Sequence, residues 1–433
     1  MRCWFSIRFE RIFKFSVKDN THFGVILFWL IVKSVGVSLI AQNAIDITFR
    51  CAIIYTYFFG GNFMICEELK SRNLPPLKSR EEMVEILQRE EYGYLPDVEY
   101  KLEASEPLVI ERRYASGISC TRPFGRVWSS FVDLTVTTEF GSHTFKVYRL
   151  LHNDGKKRPL ILLNNIHPGN ASPYFPIEEL SEYEVDYLVF CYKDLASDDA
   201  DFSNGLAPIL LPNGQETGTT CGKIMIWAWG AMRVLDYALT LPGTDPENIA
   251  VLGHSRLGKT ALVTAMMDKR FKYAFSNNSG CGGAALAHGS SGLTVKGDYF
   301  TPGRGENICD LTTSFPYWFC KNYLKYSEKM YADEFDQHYL IASIAPRYVV
   351  VGSNSADDWA DQKSEQLACH AASPAWEELG LKGITECDHF LNHGEACLDG
   401  RIGYFMIDFF HFLSRHSWHR YLEFIELHKD EMV

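Results

Sequence analysis

The stretch Ile249–Leu262, IAVLGHSRLGKTAL, decides the fold. Its first four residues, Ile249-Ala250-Val251-Leu252, form an unbroken aliphatic run, the pattern of a short strand buried on both faces. From Lys259 onward the residues are good helix formers. Between the two stand Gly253, His254 and Ser255, so the chain passes from strand to helix within a few positions. A serine on so sharp a turn is lifted above the sheet, where its hydroxyl is available for chemistry.

Other segments read the same way. Leu160–Leu163 and Tyr187–Cys191 are buried-strand runs, Phe275 ends another, and Tyr348–Val351 is closed by Gly352. Ile224–Leu241, with Trp227, Trp229 and Leu235, has a helical pattern, and Asn164–Asn170 reads as a loop. Buried aliphatic strands alternating with helices predict a mostly parallel sheet covered on both faces. Upstream, Val132–Val136 and Phe145–Tyr148 alternate and carry β-branched residues, which predicts antiparallel strands at one edge. Ser79-Arg80-Glu81-Glu82 is a capping box followed by Met83, Ile86 and Leu87 at helical spacing, with an end expected before Gly93 and Pro96. The tail Tyr404–Phe424 is aromatic-rich and is expected to end in a helix. The expected fold class is therefore α/β, a three-layer sandwich of the α/β-hydrolase kind with a mostly parallel central sheet and an antiparallel N-terminal edge. No linker divides residues 67–433, and 64–433 are expected to form one domain.

Residues 1–63 differ in character. Arg2, Arg8, Arg11, Lys14 and Lys18 precede an apolar run from Phe23 to Ala41 that only Lys33 interrupts. This fits a signal peptide with a basic start, or a membrane anchor of about 20 residues. It equally fits an extension outside the folded domain, with translation starting near Met64. The address stays open between secreted, periplasmic or membrane-anchored on the first reading and cytoplasmic on the second. The net charge of -12, with no basic cluster, argues against nucleic acid as a partner. The 12 cysteines are scattered without a C-x-x-C pair, so a structural zinc site is not expected, and most should be buried free thiols. No metal or other cofactor is expected, and membrane contact only through residues 23–41. The chain is expected to act as a monomer.

A serine hydroxyl needs a base, and the base an orienting acid. In α/β-hydrolases the order along the chain is serine, acid, histidine. Asp357, in Ser353-Asn354-Ser355-Ala356-Asp357-Asp358-Trp359 after a late strand, stands where the acid belongs. The pattern leaves the base open among His370, His389, His393, His411, His416, His419 and His428. The common G-x-S-x-G elbow is not matched: Leu257 occupies the second glycine position, and the glycine comes one place later at Gly258.

Taken together, these motifs resemble the glucuronoyl esterases, carbohydrate esterase family 15, in a bacterial form. Gly253-His254-Ser255-Arg256-Leu257-Gly258-Lys259 is similar to the family's G-[CH]-S-R-x-G-K signature. Trp227-Ala228-Trp229-Gly230, Asn277–Ala285, Thr313–Phe319, Asp336-Gln337-His338, Ala345-Pro346-Arg347, Asp357–Asp361 and Gly403-Tyr404 follow in order, over residues 74–425. The resemblance implies Ser255 as nucleophile, His411 as general base, Asp357 as acid and Arg256 as oxyanion donor. It also implies Lys259, Glu306 and Trp359 as sugar contacts. Some members carry a carboxylate where this chain has Asn278, which leaves Asp357 to orient His411 alone. The family usually has small or polar residues before its histidine; here they are Phe409-Phe410.

The implied reaction is hydrolysis of a glucuronoyl or 4-O-methyl-glucuronoyl ester of lignin-carbohydrate type through an acyl-enzyme. A second oxyanion N–H is expected from Asn164–Ile166. The alternatives are an esterase of acetyl-sugars or other small esters, and a non-catalytic carbohydrate binder. A peptidase is disfavoured by the missing G-x-S-x-G-G pattern.

Overall fold

The computed structural model describes residues 65–109, 112–113, 119–120, 126–169, 172–289, 305–385 and 387–432. The leader expected over 1–63 lies outside the described residues. Ten strands lie side by side: β1 Lys101–Ala104, β2 Val127–Thr138, β3 Gly141–His152, β4 Arg158–Asn165, β5 Asp186–Cys191, β6 Thr244–His254, β7 Tyr273–Asn277, β8 Tyr348–Asn354, β9 Ala396–Cys397 and β10 Ile402–Ile407. Their order is β1-β2-β3-β5-β4-β6-β7-β8-β10-β9, and the short Leu108–Val109 pairs with β2 to complete an eleven-stranded sheet. Pairing is parallel from β5 through β4, β6, β7 and β8 to β10. It is antiparallel among β1, β2 and β3, between β3 and β5, and between β9 and β10. The expected parallel centre and antiparallel N-terminal edge are both present.

Both faces are covered, as the aliphatic runs require. On β4 and β6, Leu160, Leu162, Ile249 and Val251 face one core, and Ile161, Leu163, Ala250 and Leu252 the other. The first core is closed by helices α2 Lys223–Ala238, α3 Arg256–Met267 and α4 Gln362–Ala372. Every α2 residue except Asp236 is buried. The second is closed by α5 Arg415–His428, which contributes Trp418, Tyr421, Leu422, Phe424 and Ile425. Ahead of them, α1 Arg80–Leu87 starts at Ser79 with the anticipated reciprocal Ser79–Glu82 cap and continues as a π-helical turn through Tyr92.

Three expectations need correction. Strand β8 does not close at Gly352 but runs on to Asn354, because Ser353 and Asn354 stay in register with Met406 and Ile407 of β10. Asn164 and Asn165 belong to β4 rather than to a loop, paired with Phe190 and Cys191. Phe275 does not end its strand either, because β7 runs on through Ser276 to Asn277, which stay paired with β6 and β8. Cys191, Cys221, Cys281, Cys320, Cys369 and Cys387 are buried thiols. No helix among the described residues is long and apolar enough to cross a membrane.

The register brings three strand ends abreast. Asn277, the last residue of β7, pairs with His254 on β6 and with Gly352 on β8. The segments leaving these strands therefore emerge along one rim: Ser255 after β6, Asn278 after β7, Asp357 beyond β8 and His411 beyond β10.

Candidate active site

Ser255 is held at φ 60°, ψ -130° between β6 and α3. This region is unfavourable for a side chain with Cβ, and such strain persists only where the surroundings fix it. The surroundings do so here. The Ser255 N–H donates to Asn277 O at 2.8 Å, and Ser255 O accepts from the N–H groups of Gly258 and Lys259. Gly253 is obligatory, since a Cβ there would lie 1.9 Å from Leu257 O. The displaced second glycine also has a cause: a Cβ at Gly258 would meet Ser276 Oγ and Ser279 Cβ at 3.0 Å. The Arg256 amide opens α3, at the end where helix N–H groups lack intrahelical acceptors and the dipole favours negative charge.

His411 Nδ1 donates to Asp357 Oδ2 at 2.5 Å, with the imidazole 41% exposed and the carboxylate buried. The imidazole lies against the ring of His254, centroids 4.4 Å apart, and His254 directly precedes Ser255. Among the described residues the imidazole's hydrogen bond is to Asp357, and none joins it to the Ser255 hydroxyl. Bonds of that kind are often long without substrate and tighten on binding. Burial drives the His254 pKa well below the usual range, so His254 adds no second cation beside His411. His389, His419 and His428 pair elsewhere, with Glu395, Glu179 and Glu431 respectively.

Asn278 has a part that its sequence position did not reveal. At φ 48° its Nδ2 donates to Asp357 Oδ2 at 2.6 Å, while its Oδ1 accepts from Asn277 Nδ2 at 2.6 Å. The amide that stands in place of a carboxylate grips the remaining one.

The Arg256 guanidinium is ion-paired with Asp198 and lies 4.9 Å from the centre of the Trp318 ring. Asp198 is fixed in turn by Tyr192 OH at 2.9 Å and Trp318 Nε1 at 2.7 Å. Nothing in the spacing of Ser197-Asp198-Asp199 signalled this anchor. The expected N–H from Asn164–Ile166 is not available: Ile166 N–H donates to Asn165 Oδ1 at 2.9 Å, and the two asparagines lie in the strand ladder.

Lys259, Glu306 and Trp359 come together as an internal network. Lys259 Nζ donates to Glu306 Oε2 and Ser279 O, each at 2.7 Å, and to Cys281 O, and the side chain is only 2% exposed. An ammonium has three N–H donors, and all three have protein acceptors here. Trp359 Nε1 donates to Glu306 Oε1 at 3.1 Å, and Trp359 is the half-exposed member of the group. Burial pushes the Glu306 carboxyl above its usual range while Lys259 pulls it back.

Glu365, on α4, was not anticipated either. It is fully buried, accepts from the N–H groups of Ser279 and Gly280 at 2.8 and 3.0 Å, and contacts Ser353 Oγ at 2.5 Å. It thereby ties the glycine loop after β7 to the end of β8. Burial raises its pKa to about 8. Among the described residues no cluster of His, Cys, Asp and Glu is arranged to hold a metal ion.

A strained serine at a helix start, an imidazole held by a buried carboxylate and an anchored guanidinium are the parts needed for acyl transfer. Solved structures share this arrangement of elements over most of the chain. A promiscuous carbohydrate esterase family 15 enzyme from a marine bacterial metagenome superposes with a TM-score of 0.68 at 26% identity, over 81% of this chain and 91% of that one. The glucuronoyl esterase from Solibacter usitatus gives 0.68 at 25% identity, over 81% and 92%. The family model described as glucuronyl esterase, fungi, matches residues 177–380. In sequence and in fold the chain is similar to glucuronoyl esterases.

Among curated relatives, a carbohydrate esterase from an unknown prokaryotic organism is 37% identical over 207 residues, 48% of this chain and 44% of that protein. The 4-O-methyl-glucuronoyl methylesterase of Hypocrea jecorina is 33% identical over 164 residues, 37% of this chain and 34% of that one. The chain thus matches about half or less of the length of these relatives. The matched segment 177–380 holds Ser255, Arg256, Lys259, Asn278, Glu306, Asp357 and Trp359, whereas His411 lies beyond it.

Proposed function

We propose that the chain is a serine esterase that hydrolyses glucuronoyl or 4-O-methyl-glucuronoyl esters through an acyl-enzyme, with residues 64–433 as the esterase domain. The observation that carries this reading is the Asp357–His411 hydrogen bond with its imidazole packed on His254, beside the strained Ser255. His411 Nε2 takes the Ser255 proton as Oγ bonds to the ester carbonyl carbon. The oxyanion lies toward the Arg256 N–H and guanidinium, which Asp198 keeps oriented. As the tetrahedral centre collapses, the carbon–oxygen bond to the alcohol breaks and His411 returns the proton to the departing oxygen. Water then attacks the acyl-enzyme with His411 as base again, giving the uronic acid and free Ser255.

In this reading Asp357 keeps the imidazole in the tautomer with Nε2 facing the serine. Trp359 meets the sugar, and Lys259 and Glu306 reach its hydroxyls once a hydroxyl takes over one of the carbonyl contacts of Lys259. The names carried by the relatives support a uronate ester over an acetyl ester. The test is turnover of methyl glucuronate and of an acetylated sugar by the full chain and by Ser255→Ala, with fluorophosphonate labelling of both. Turnover of the uronate ester and labelling that both vanish in Ser255→Ala are expected. Labelling without uronate turnover would move the reading to another ester, and no labelling would end it.

A further inference from the structure

Asn277 is fully buried at the end of β7, and its amide touches a neighbour of each proposed reacting group. Its Nδ2 lies 3.0 Å from Nδ1 of His254, the residue before Ser255. It lies 3.2 Å from the carbonyl oxygen of Phe412, the residue after His411. It lies 2.6 Å from Oδ1 of Asn278, whose own Nδ2 holds Asp357. The main chain adds to this, since Asn277 O accepts the Ser255 N–H at 2.8 Å.

The partners fix the direction of these bonds. A carbonyl oxygen can only accept, and Asn278 spends its Nδ2 on Asp357, so its Oδ1 is what faces Asn277. The Asn277 amide must therefore turn its NH2 this way, and Nδ1 of His254 is then the bare nitrogen of the ring. On the opposite side, Asn277 Oδ1 faces Tyr421 OH at 3.4 Å. Tyr174 spans the same two flanking residues, with its ring 5.2 Å from that of His254 and 4.7 Å from that of Phe412. Phe412 O has a second donor, Asn354 Nδ2 at 2.8 Å, which also holds Phe410 O at 2.6 Å. The acceptors on His254 and Asn278 therefore depend most on Asn277.

We propose that Asn277 is a positioning residue whose single amide sets the spacing of Ser255, His411 and Asp357. This rests on the esterase reading and deepens it by naming the group that holds the three parts in one frame.

The experiment measures single-turnover acylation by an aryl acetate, and kcat and KM on methyl glucuronate. The proteins are the full chain, Asn277→Leu and Asn277→Ser, each also combined with His411→Ala. Leucine keeps the volume of the amide without its donors, and serine keeps one donor on a shorter side chain. Misplacing a reacting pair by about 1 Å costs about 10²-fold. Asn277→Leu should lower acylation and kcat by about 10- to 100-fold with KM nearly unchanged, and Asn277→Ser by less. Once His411 is removed there is no base to place, so the same changes at 277 should barely alter the residual acylation. A merely structural role would reduce the rate by the same factor with and without His411. That result, or acylation undiminished in both 277 variants, overturns the proposal. If Asn277→Leu loses its cooperative melting transition, Asn277→Ser carries the same comparison. If the unaltered chain turns over neither ester, the esterase reading fails first and the positioning role with it.

Discussion

Asn278 Nδ2 and His411 Nδ1 meet on a single oxygen, Asp357 Oδ2, at 2.6 and 2.5 Å. The carboxylate thus receives two donors on one side, one from the imidazole it is proposed to orient and one from an amide that cannot take over its charge. Removing the amide should loosen Asp357 without abolishing it. Asn278→Ala is expected to lower kcat on methyl glucuronate by about tenfold while leaving KM little changed, since second-layer partners of this kind act through orientation. Asn278→Asp would place a second carboxylate beside the first. An added negative charge favours the imidazolium, so the acidic limb of the kcat–pH profile should move to higher pH. An unchanged profile in Asn278→Asp would mean that the side chain at 278 does not act on the base.

Arg256 and Asp198 give a second expectation. Removing one preorganised oxyanion donor typically costs about 10²–10³ in kcat. Arg256→Ala should fall in that range on any ester the chain accepts. Asp198→Asn keeps the guanidinium but releases it from its ion pair, and should cost less, with the loss again in kcat. Single-turnover acylation rates with an aryl acetate check both variants, because that substrate does not need the sugar contacts.

The Lys259–Glu306 pair makes sugar reading and stability inseparable in single variants. Lys259→Met leaves Glu306 buried without its cation, and breaking a buried pair in this way costs about 3–5 kcal/mol. Lys259→Met with Glu306→Gln should recover part of that loss, as measured by urea denaturation. If the pair reads the uronate, the recovered double variant should still lose turnover of uronate esters while keeping an aryl acetate. Equal losses on both substrates would leave the pair a purely structural role.

The fold was legible wherever burial was expressed as apolar pattern. Ile249–Leu252, Leu160–Leu163 and Tyr187–Cys191 all became central strands, and Gly253 proved necessary for the turn after β6. It was not legible where polar residues are buried through partners supplied by distant segments. Ser353 and Asn354 interrupt the apolar run after Gly352, yet they extend β8 because Glu365 and the carbonyls of Phe410 and Phe412 receive them. Asp198 and Glu365 are equally silent in sequence, since their meaning lies in Arg256 and in the glycine loop, both far along the chain. Lys259 was named only by resemblance, as a sugar contact, and its three hydrogen bonds are all to protein groups. In the candidate site, Asp357 and His411 share a direct hydrogen bond, while the grip of Asn278 on Asp357 required coordinates to be seen.

Glu365 supplies a pH dependence. Its folded pKa of about 8 lies above the ordinary value of 4.5, so the folded chain holds this proton more tightly than the unfolded chain. The stability it contributes is complete below about pH 4.5 and is lost as pH rises toward about 8. Glu91, fully buried and also raised to about 8, acts in the same direction. Glu365→Gln can still accept from Ser279 and Gly280 and donate to Ser353 Oγ, so the fold should persist. Its Tm should fall less than that of the unaltered chain between pH 5 and pH 8, by about half if the two acids contribute equally. Parallel Tm–pH curves would show that Glu365 is charged throughout.

The clasp of Asn354 on the carbonyls of Phe410 and Phe412 separates two duties within one short segment. Because only main-chain oxygens are grasped, any side chain can occupy position 410 while the neighbouring imidazole keeps its footing. A change of side chain at 410 therefore leaves both main-chain acceptors on either side of His411 in place.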